Sequence, residues 1–253
     1  MVDQNSAPED KIALFRALFR GREDVYPRRF ESRKTGRSGY SPACANEWAR
    51  DLCDKRTVQC AECPNRRLLP VTDEVVRSHL SGQDATGREF VLGVYPMLLD
   101  ETCCFLAADF DKQSWREDVA AVLETCCQLE LPAAMERSRS GHGGHLWLFF
   151  QDAIPAALAR SLGAHILTET MERRPDIGLD SYDRFFPNQD SLAIRALSSG
   201  GSPPWGCLLS SYHCRARYVV IPPTVSCADG LVTDISRRLN SLSGLGFVQR
   251  VTQ

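Results

Sequence analysis

C-C-F-L-A-A-D-F-D, residues Cys103–Asp111, is a short apolar run that ends in two carboxylates one residue apart. A run this rich in Phe and Leu predicts a buried strand. Side chains at i and i+2 of a strand share a face, so Asp109 and Asp111 project side by side while Phe110 turns back into the core. Two carboxylates that close repel, and burying them together would keep one protonated. A divalent cation relieves both. Hard oxygen ligands favour Mg²⁺ or Mn²⁺, and Mg²⁺ is usually held by one or two carboxylates plus substrate phosphates. Taken alone, D-x-D reads as readily as an Asp pair at a solvated strand end, so the rest of the chain decides.

Downstream, Ser114-Trp-Arg-Glu117 has the form of a capping box opening a helix, with Val119, Val122, Leu123 and Cys126 as its apolar face and Pro132 beyond its end. Ala133–Arg139 reads as a strand, followed by the loop S-R-S-G-H-G-G-H and a strongly apolar strand, Leu146–Phe150. The amides of such a loop suit an anion nest. His145, at the loop's exit, stands where an imidazole and a serine hydroxyl reach one phosphate; a tight hairpin is the plainer alternative. His142, at the tip, reads as exposed. Ile154–Arg174 predicts a helix with Pro155 in its first turn and Leu158, Leu162, Ile166 and Met171 on its apolar side. L-D-S-Y-D-R-F-F-P-N-Q-D, Leu179–Asp190, then offers three more aspartates. A two-metal site needs a further carboxylate, which this segment can supply, although it also reads as a polar loop.

Upstream, Lys11–Phe19 has helical apolar spacing. From Arg16 to Arg37 the chain is basic, with Tyr26, Phe30 and Tyr40 interleaved among Arg16, Arg20, Arg22, Arg28, Arg29, Arg33, Lys34 and Arg37. Basic and aromatic side chains together suit a surface that grips phosphates and stacks bases, or form an ordinary solvated loop. K-T-G-R-S-G-Y, Lys34–Tyr40, has phosphate-loop glycines without a P-loop ending. Cys44, Cys53, Cys60 and Cys63 follow as C-x8-C-x6-C-x2-C. Four thiolates suit a closed tetrahedral zinc site stapling a loop-rich insert. Asp73–Leu80 predicts a helix capped by Thr72. Phe90–Leu98 predicts a strand paired with Cys103–Asp111 around a turn at Leu99–Thr102.

The chain has 253 residues, 43% apolar and 25% charged, with a net charge of -2. That length buries a substantial core. Any nucleic-acid surface must be a local patch, since there is no global positive excess. No run of 18 apolar residues suggests a spanning helix. The polar, acidic N-terminus is unlike a signal peptide. The odd count of eleven cysteines, four at ligand spacing, predicts a reducing, cytoplasmic setting with thiols free or metal-bound.

In this order the motifs resemble the archaeo-eukaryotic primase superfamily, and within it the primase-polymerase domains of TOTE conflict systems and their CRISPR-associated relatives. The resemblance is carried by Gly21–Phe30, Gly39–Trp48, Cys60–Asn65, Ala108–Trp115, Glu136–Trp147 and Ser181–Asp190. It implies an α+β fold over residues 11–190: an N-terminal αβ unit, an RRM-like unit and a four-cysteine zinc insert at about 40–70, after a flexible stretch over 1–10. It implies template-dependent nucleotidyl transfer, as primer synthesis or DNA polymerisation, on single-stranded nucleic acid with nucleoside triphosphates. Asp109 and Asp111 match the metal-binding D-x-D, and Ser140 and His145 match the serine–histidine motif for the incoming triphosphate. The third carboxylate falls in Y-D-R-F-F-P: Asp183 is the choice, because its neighbours look like a strand, with Asp180 second. Arg137 and Arg139 flank the loop and add positive charge. Mg²⁺ or Mn²⁺ is implied for catalysis, Zn²⁺ for structure, and a helicase or nuclease of the same system as a partner. After Asp190 the chain departs from the family pattern, and residues 191–253 read as divergent or poorly ordered, with Arg217–Pro222 strand-like and Leu231–Leu242 helix-like. That departure keeps open a truncated primase fragment, or an inactive nucleic-acid-binding zinc module.

Overall fold

The computed structural model describes residues 2–3, 5–32, 34–192 and 218–220. Helix α1 (Pro8–Leu18) starts three residues before the expected Lys11, because Pro8 presets its first turn and Glu9 and Asp10 meet the N-terminal dipole. A two-stranded antiparallel hairpin follows, β1 (Pro27–Glu31) and β2 (Ser38–Pro42). Helix α2 (Asp73–Ser81) is capped by Thr72, whose hydroxyl accepts from the Val75 amide, and is closed by Gly82 at φ 78°.

The core sheet is built from β3 (Thr102–Asp111), β4 (Ala134–Arg137), β5 (Gly143–Pro155), β6 (Tyr182–Phe186) and β7 (Tyr218–Val220), in spatial order β6-β3-β5-β4-β7 with every neighbouring pair antiparallel. Helix α3 (Trp115–Gln128) joins β3 to β4, and α4 (Ala156–Arg173) joins β5 to β6. The first four strands and two helices thus follow a β-α-β-β-α-β path with split crossovers. Strand β7 lies within the stretch read as strand-like, Arg217–Pro222, and pairs with β4; Leu231–Leu242 lies outside the described residues.

The period-two alternation of β3 divides the interior. Leu106, Ala108 and Phe110 pack with Trp115, Val122 and Ile166 beneath α3 and α4. Phe105 and Ala107 face the other way, onto Phe15, Phe19, Leu92 and Trp147, beneath α1 and α2. Asp109 and Asp111 continue the second series.

Four readings are corrected. Phe90–Leu98 does not pair with β3, because β5 and β6 occupy both of its edges. It runs beside β1 instead, with the Arg29 amide donating to Val91 and Gly93 donating to Pro27, and Phe90–Met97 is buried throughout. The turn is real: the Leu98 amide donates to Thr102 at 2.8 Å. Ser114 forms no capping box; its hydroxyl bonds Asp118 at 3.0 Å and no backbone amide. Strand β5 runs on to Pro155, so α4 begins at Ala156 and buries Ala159, Gly163, Ile166 and Thr170, leaving Leu158 and Met171 exposed. Among the described cysteines seven are free thiols, and Cys127 is disulfide-bonded, against the expectation of thiols throughout.

Candidate active site

Asp109 pairs directly with His145 on β5, and His145 pairs with Glu136 on β4. One row across three strands therefore reads Glu136–His145–Asp109. The His145 Nδ1 lies 3.1 Å from Glu136 Oε2, and its Nε2 lies 3.4 Å from Asp109 Oδ1. Glu136 is fully buried, also accepts from the Trp147 indole at 3.3 Å, and its other oxygen has no hydrogen-bond partner. Burial opposes charge on His145, but the bonds to Asp109 and Glu136 outweigh it and hold its pKa up to about 10. His145, the third residue of β5 after the loop, is thus held toward its charged form.

Strand β6 lies on the other edge of β3. Asp109 pairs with Arg184 and Phe110 with Tyr182, which leaves Asp183 as the extra residue of a β-bulge. Regular alternation from Phe185, on the α3/α4 side, would put Asp183 on that same side. The bulge re-aims it, and ligand oxygens of Asp109, Asp111 and Asp183 lie within 4.8 Å of one another. Asp111 is held above the usual carboxylate range, first by burial and then by the charges of Asp109 and Asp183, against the pull of His145 and Arg184. Arg184 bonds Asp183 at 2.6 Å. Asp180 is not in this group; its carbonyl accepts from Lys112 at 2.8 Å.

Asp118, 2% exposed on α3, fixes the third carboxylate's segment. It accepts from the Ser181 amide at 3.0 Å, from the Ser181 hydroxyl and from Ser114. The Ser181 carbonyl in turn accepts from the Asp111 amide at 2.7 Å. Glu136 opens the Glu136–Trp147 stretch but was given no role there, and Asp118 lies outside the quoted stretches; the signal in sequence was a carboxylate in an otherwise apolar strand or helix face, where burial demands partners.

The loop Ser138–His142 joins β4 to β5 beside this cluster. Gly141 takes φ 78°, the left-handed conformation that glycine adopts without steric cost. Ser140 Oγ accepts from the His142 amide at 3.2 Å and lies 3.1 Å from Ser138 Oγ, and both Ser140 and His142 are exposed. A Cβ at Gly143 would come within 2.5 Å of Asp111 Oδ1, so a bare backbone there is what lets loop and carboxylate adjoin. Arg137 turns onto the Gly141 carbonyl at 3.1 Å and braces the loop; Arg139 is paired with Glu89 at 2.6 Å.

The cysteine stretch forms a loop-rich unit. The Arg67 amide donates to Cys44 Sγ, and Cys60 is pushed up by burial and by the neighbouring Cys53, Cys44 and Cys63 thiols, with Lys55 opposing. Among the described residues the three aspartates are the group of three or more whose ligand atoms all lie within 4.8 Å of one another, and the four cysteines do not form such a group.

No curated protein matches the chain. Residues 10–199 match the family described as the TOTE conflict system, archaeo-eukaryotic primase domain, a match that takes in β3 to β6 of the sheet, the three aspartates, the loop and the cysteine unit. The chain belongs to this family of archaeo-eukaryotic primase domains, whose general chemistry is nucleotidyl transfer.

Proposed function

We propose that this chain carries out template-dependent nucleotidyl transfer, making primers or extending DNA from nucleoside triphosphates on a single-stranded template. The observation that carries this is the meeting of Asp109, Asp111 and Asp183, from two neighbouring strands, beside a charged His145. Three hard oxygen donors suit Mg²⁺ or Mn²⁺. When bound, such ions supply the positive charge that activates the attacking hydroxyl and neutralises triphosphate and pyrophosphate.

The chain's own groups do the rest. Glu136 fixes the imidazole through Nδ1. The longer contact of Nε2 to Asp109 is the one a phosphate oxygen takes over, leaving Asp109 to serve a cation. Ser140 lines the same phosphate, and Arg137, with the amides of Ser138, Gly141 and His142 that are bonded within the loop, holds that loop in shape. Arg139 adds charge at the rim, tempered by Glu89. A helicase or nuclease of the same system is the partner that would open or process the template.

The test is extension of a labelled primer on single-stranded template with Mn²⁺. Wild type is expected to add nucleotides, and template degradation or an inert protein with unchanged template binding would replace this reading with a nuclease or a binding module.

Zinc at Cys44, Cys53, Cys60 and Cys63 belongs to the same proposal, supported by four soft donors in one unit that has little core of its own. Purified protein is expected to contain about one zinc per chain, and Cys60→Ser to lose most of it; a metal-free wild type with intact fold would refute the assignment.

A further inference from the structure

Two aromatic side chains stand out on the N-terminal side of the molecule. Phe30 on β1 is 46% exposed, and Trp48 in the cysteine unit is 70% exposed. Neither is loosely placed. Phe30 pairs with Gly39 on β2, and a Cβ on Gly39 would come within 3.1 Å of the Phe30 ring. The ring therefore rests on bare backbone of the partner strand. Trp48 sits at φ 62°, a left-handed conformation that an L-residue with a bulky side chain takes only at a steric cost. Lys55 Nζ lies 4.9 Å from the centre of its ring.

The two rings are connected. Glu47, with a largely buried side chain, bonds Lys55 at 2.6 Å with one oxygen and Arg28 at 2.9 Å with the other. Arg28 is two residues from Phe30 and shares its face of β1. The chain Phe30 face–Arg28–Glu47–Lys55–Trp48 thus spans hairpin and cysteine unit. On the opposite face of β1, Arg29 contacts Glu89, which also holds Arg139 of the nucleotide loop. Lys34 and Arg37, at the hairpin turn, are exposed. The hairpin therefore lies between the catalytic loop on one side and Trp48 on the other.

We propose that Phe30 and Trp48 are base-stacking platforms for single-stranded nucleic acid, with Lys34, Arg37, Arg28 and Lys55 meeting its phosphates. Resting on the nucleotidyl-transfer reading, this names a surface that holds the template, joined to the nucleotide loop through Arg29 and Glu89 on the other face of β1. The chemistry selects this ligand. A protein partner is matched by continuous apolar area, whereas here the two ring faces are interspersed with Arg28, Lys34, Arg37 and Lys55, the pattern that fits a polyanion carrying stacked bases.

The experiment is fluorescence anisotropy of a labelled 20-nucleotide oligo-dT with the full chain, without nucleotide or divalent metal. Phe30→Ala and Trp48→Ala are each expected to weaken binding roughly 5- to 150-fold, the range for loss of one stacked base. Phe30→Tyr and Trp48→Phe are expected to restore most of it, and Phe30→Leu not, which separates stacking from mere filling of space over Gly39. Lys34→Ala with Arg37→Ala is expected to flatten the dependence of affinity on salt. Folded alanine variants that bind within twofold of wild type would overturn the proposal, as would a wild type with no affinity for oligo-dT. The two readings fail separately: tight, ring-dependent binding without primer extension removes the enzyme and keeps the platform, and extension with ring-independent binding does the reverse.

Discussion

Asp109→Asn is expected to lower primer extension by about a thousandfold while leaving the fold intact. The carboxylate is nearly buried and shares ligand distance with Asp111 and Asp183. Charge stabilisation by a bound cation is worth several kcal/mol, and each ~1.4 kcal/mol is tenfold in rate. The asparagine keeps the shape and loses the charge. A second readout needs no turnover. In wild type the charges of Asp109 and Asp183 help hold Asp111 above its usual range, a repulsion that a cation relieves. Mn²⁺ is therefore expected to raise the melting temperature of wild type, by an amount that corresponds to about 2.7 kcal/mol at a hundredfold excess over its dissociation constant. The same titration is expected to move Asp109→Asn little. An equal Mn²⁺ shift in both proteins would show that the cation binds elsewhere and would remove the three aspartates from the mechanism.

The pair Asp109 and Asp111 was legible because strand alternation alone puts both on one face and Phe110 on the other, and the structure buries Phe110 completely. Asp183 was legible only through the family resemblance. Counted by alternation from Phe185 and Phe186 it belongs on the wrong side, and the bulge opposite Asp109–Phe110 that corrects this has no local signature. The misreading of Phe90–Leu98 has a different origin. An apolar run predicts burial, but burial between β1 and the sheet looks the same in sequence as burial within the sheet. Ser114 illustrates competition between partners. A serine three residues before a glutamate matches a capping box, yet a buried carboxylate at Asp118 is the more demanding acceptor and takes the hydroxyl. Leu158 and Met171 fit a helical period and still face solvent, because Gly163 lets α4 approach β3 and β6 so closely that small residues fill the contact. For Glu136 the sequence shows a carboxylate in an apolar strand but not its partner: its role depends on register, which places it across from His145 only when β4 and β5 pair as they do.

That register gives Glu136→Gln an expected effect second only to loss of Asp109. The glutamine keeps the volume of a fully buried side chain and removes one of the two carboxylates that keep His145 charged. Hydrogen bonds to charged groups are worth about 1.5–3 kcal/mol, so the KM for nucleoside triphosphate is expected to rise roughly 10- to 100-fold. The change in kcat is expected to be smaller, since an imidazolium on the triphosphate binds ground and transition states alike. The pH dependence separates this from a packing defect. With both partners present the imidazole stays charged through the neutral range, up to its pKa of about 10. The stability this charge contributes is complete below the unfolded value near 6.5 and is lost as pH rises through about 10. With Glu136 neutral, burial regains influence, the pKa falls, and the alkaline limb of kcat/KM moves toward neutrality. A variant whose kcat/KM drops by the same factor at every pH would show that Glu136 serves only to fill the core, and would leave His145 without the charge assigned to it.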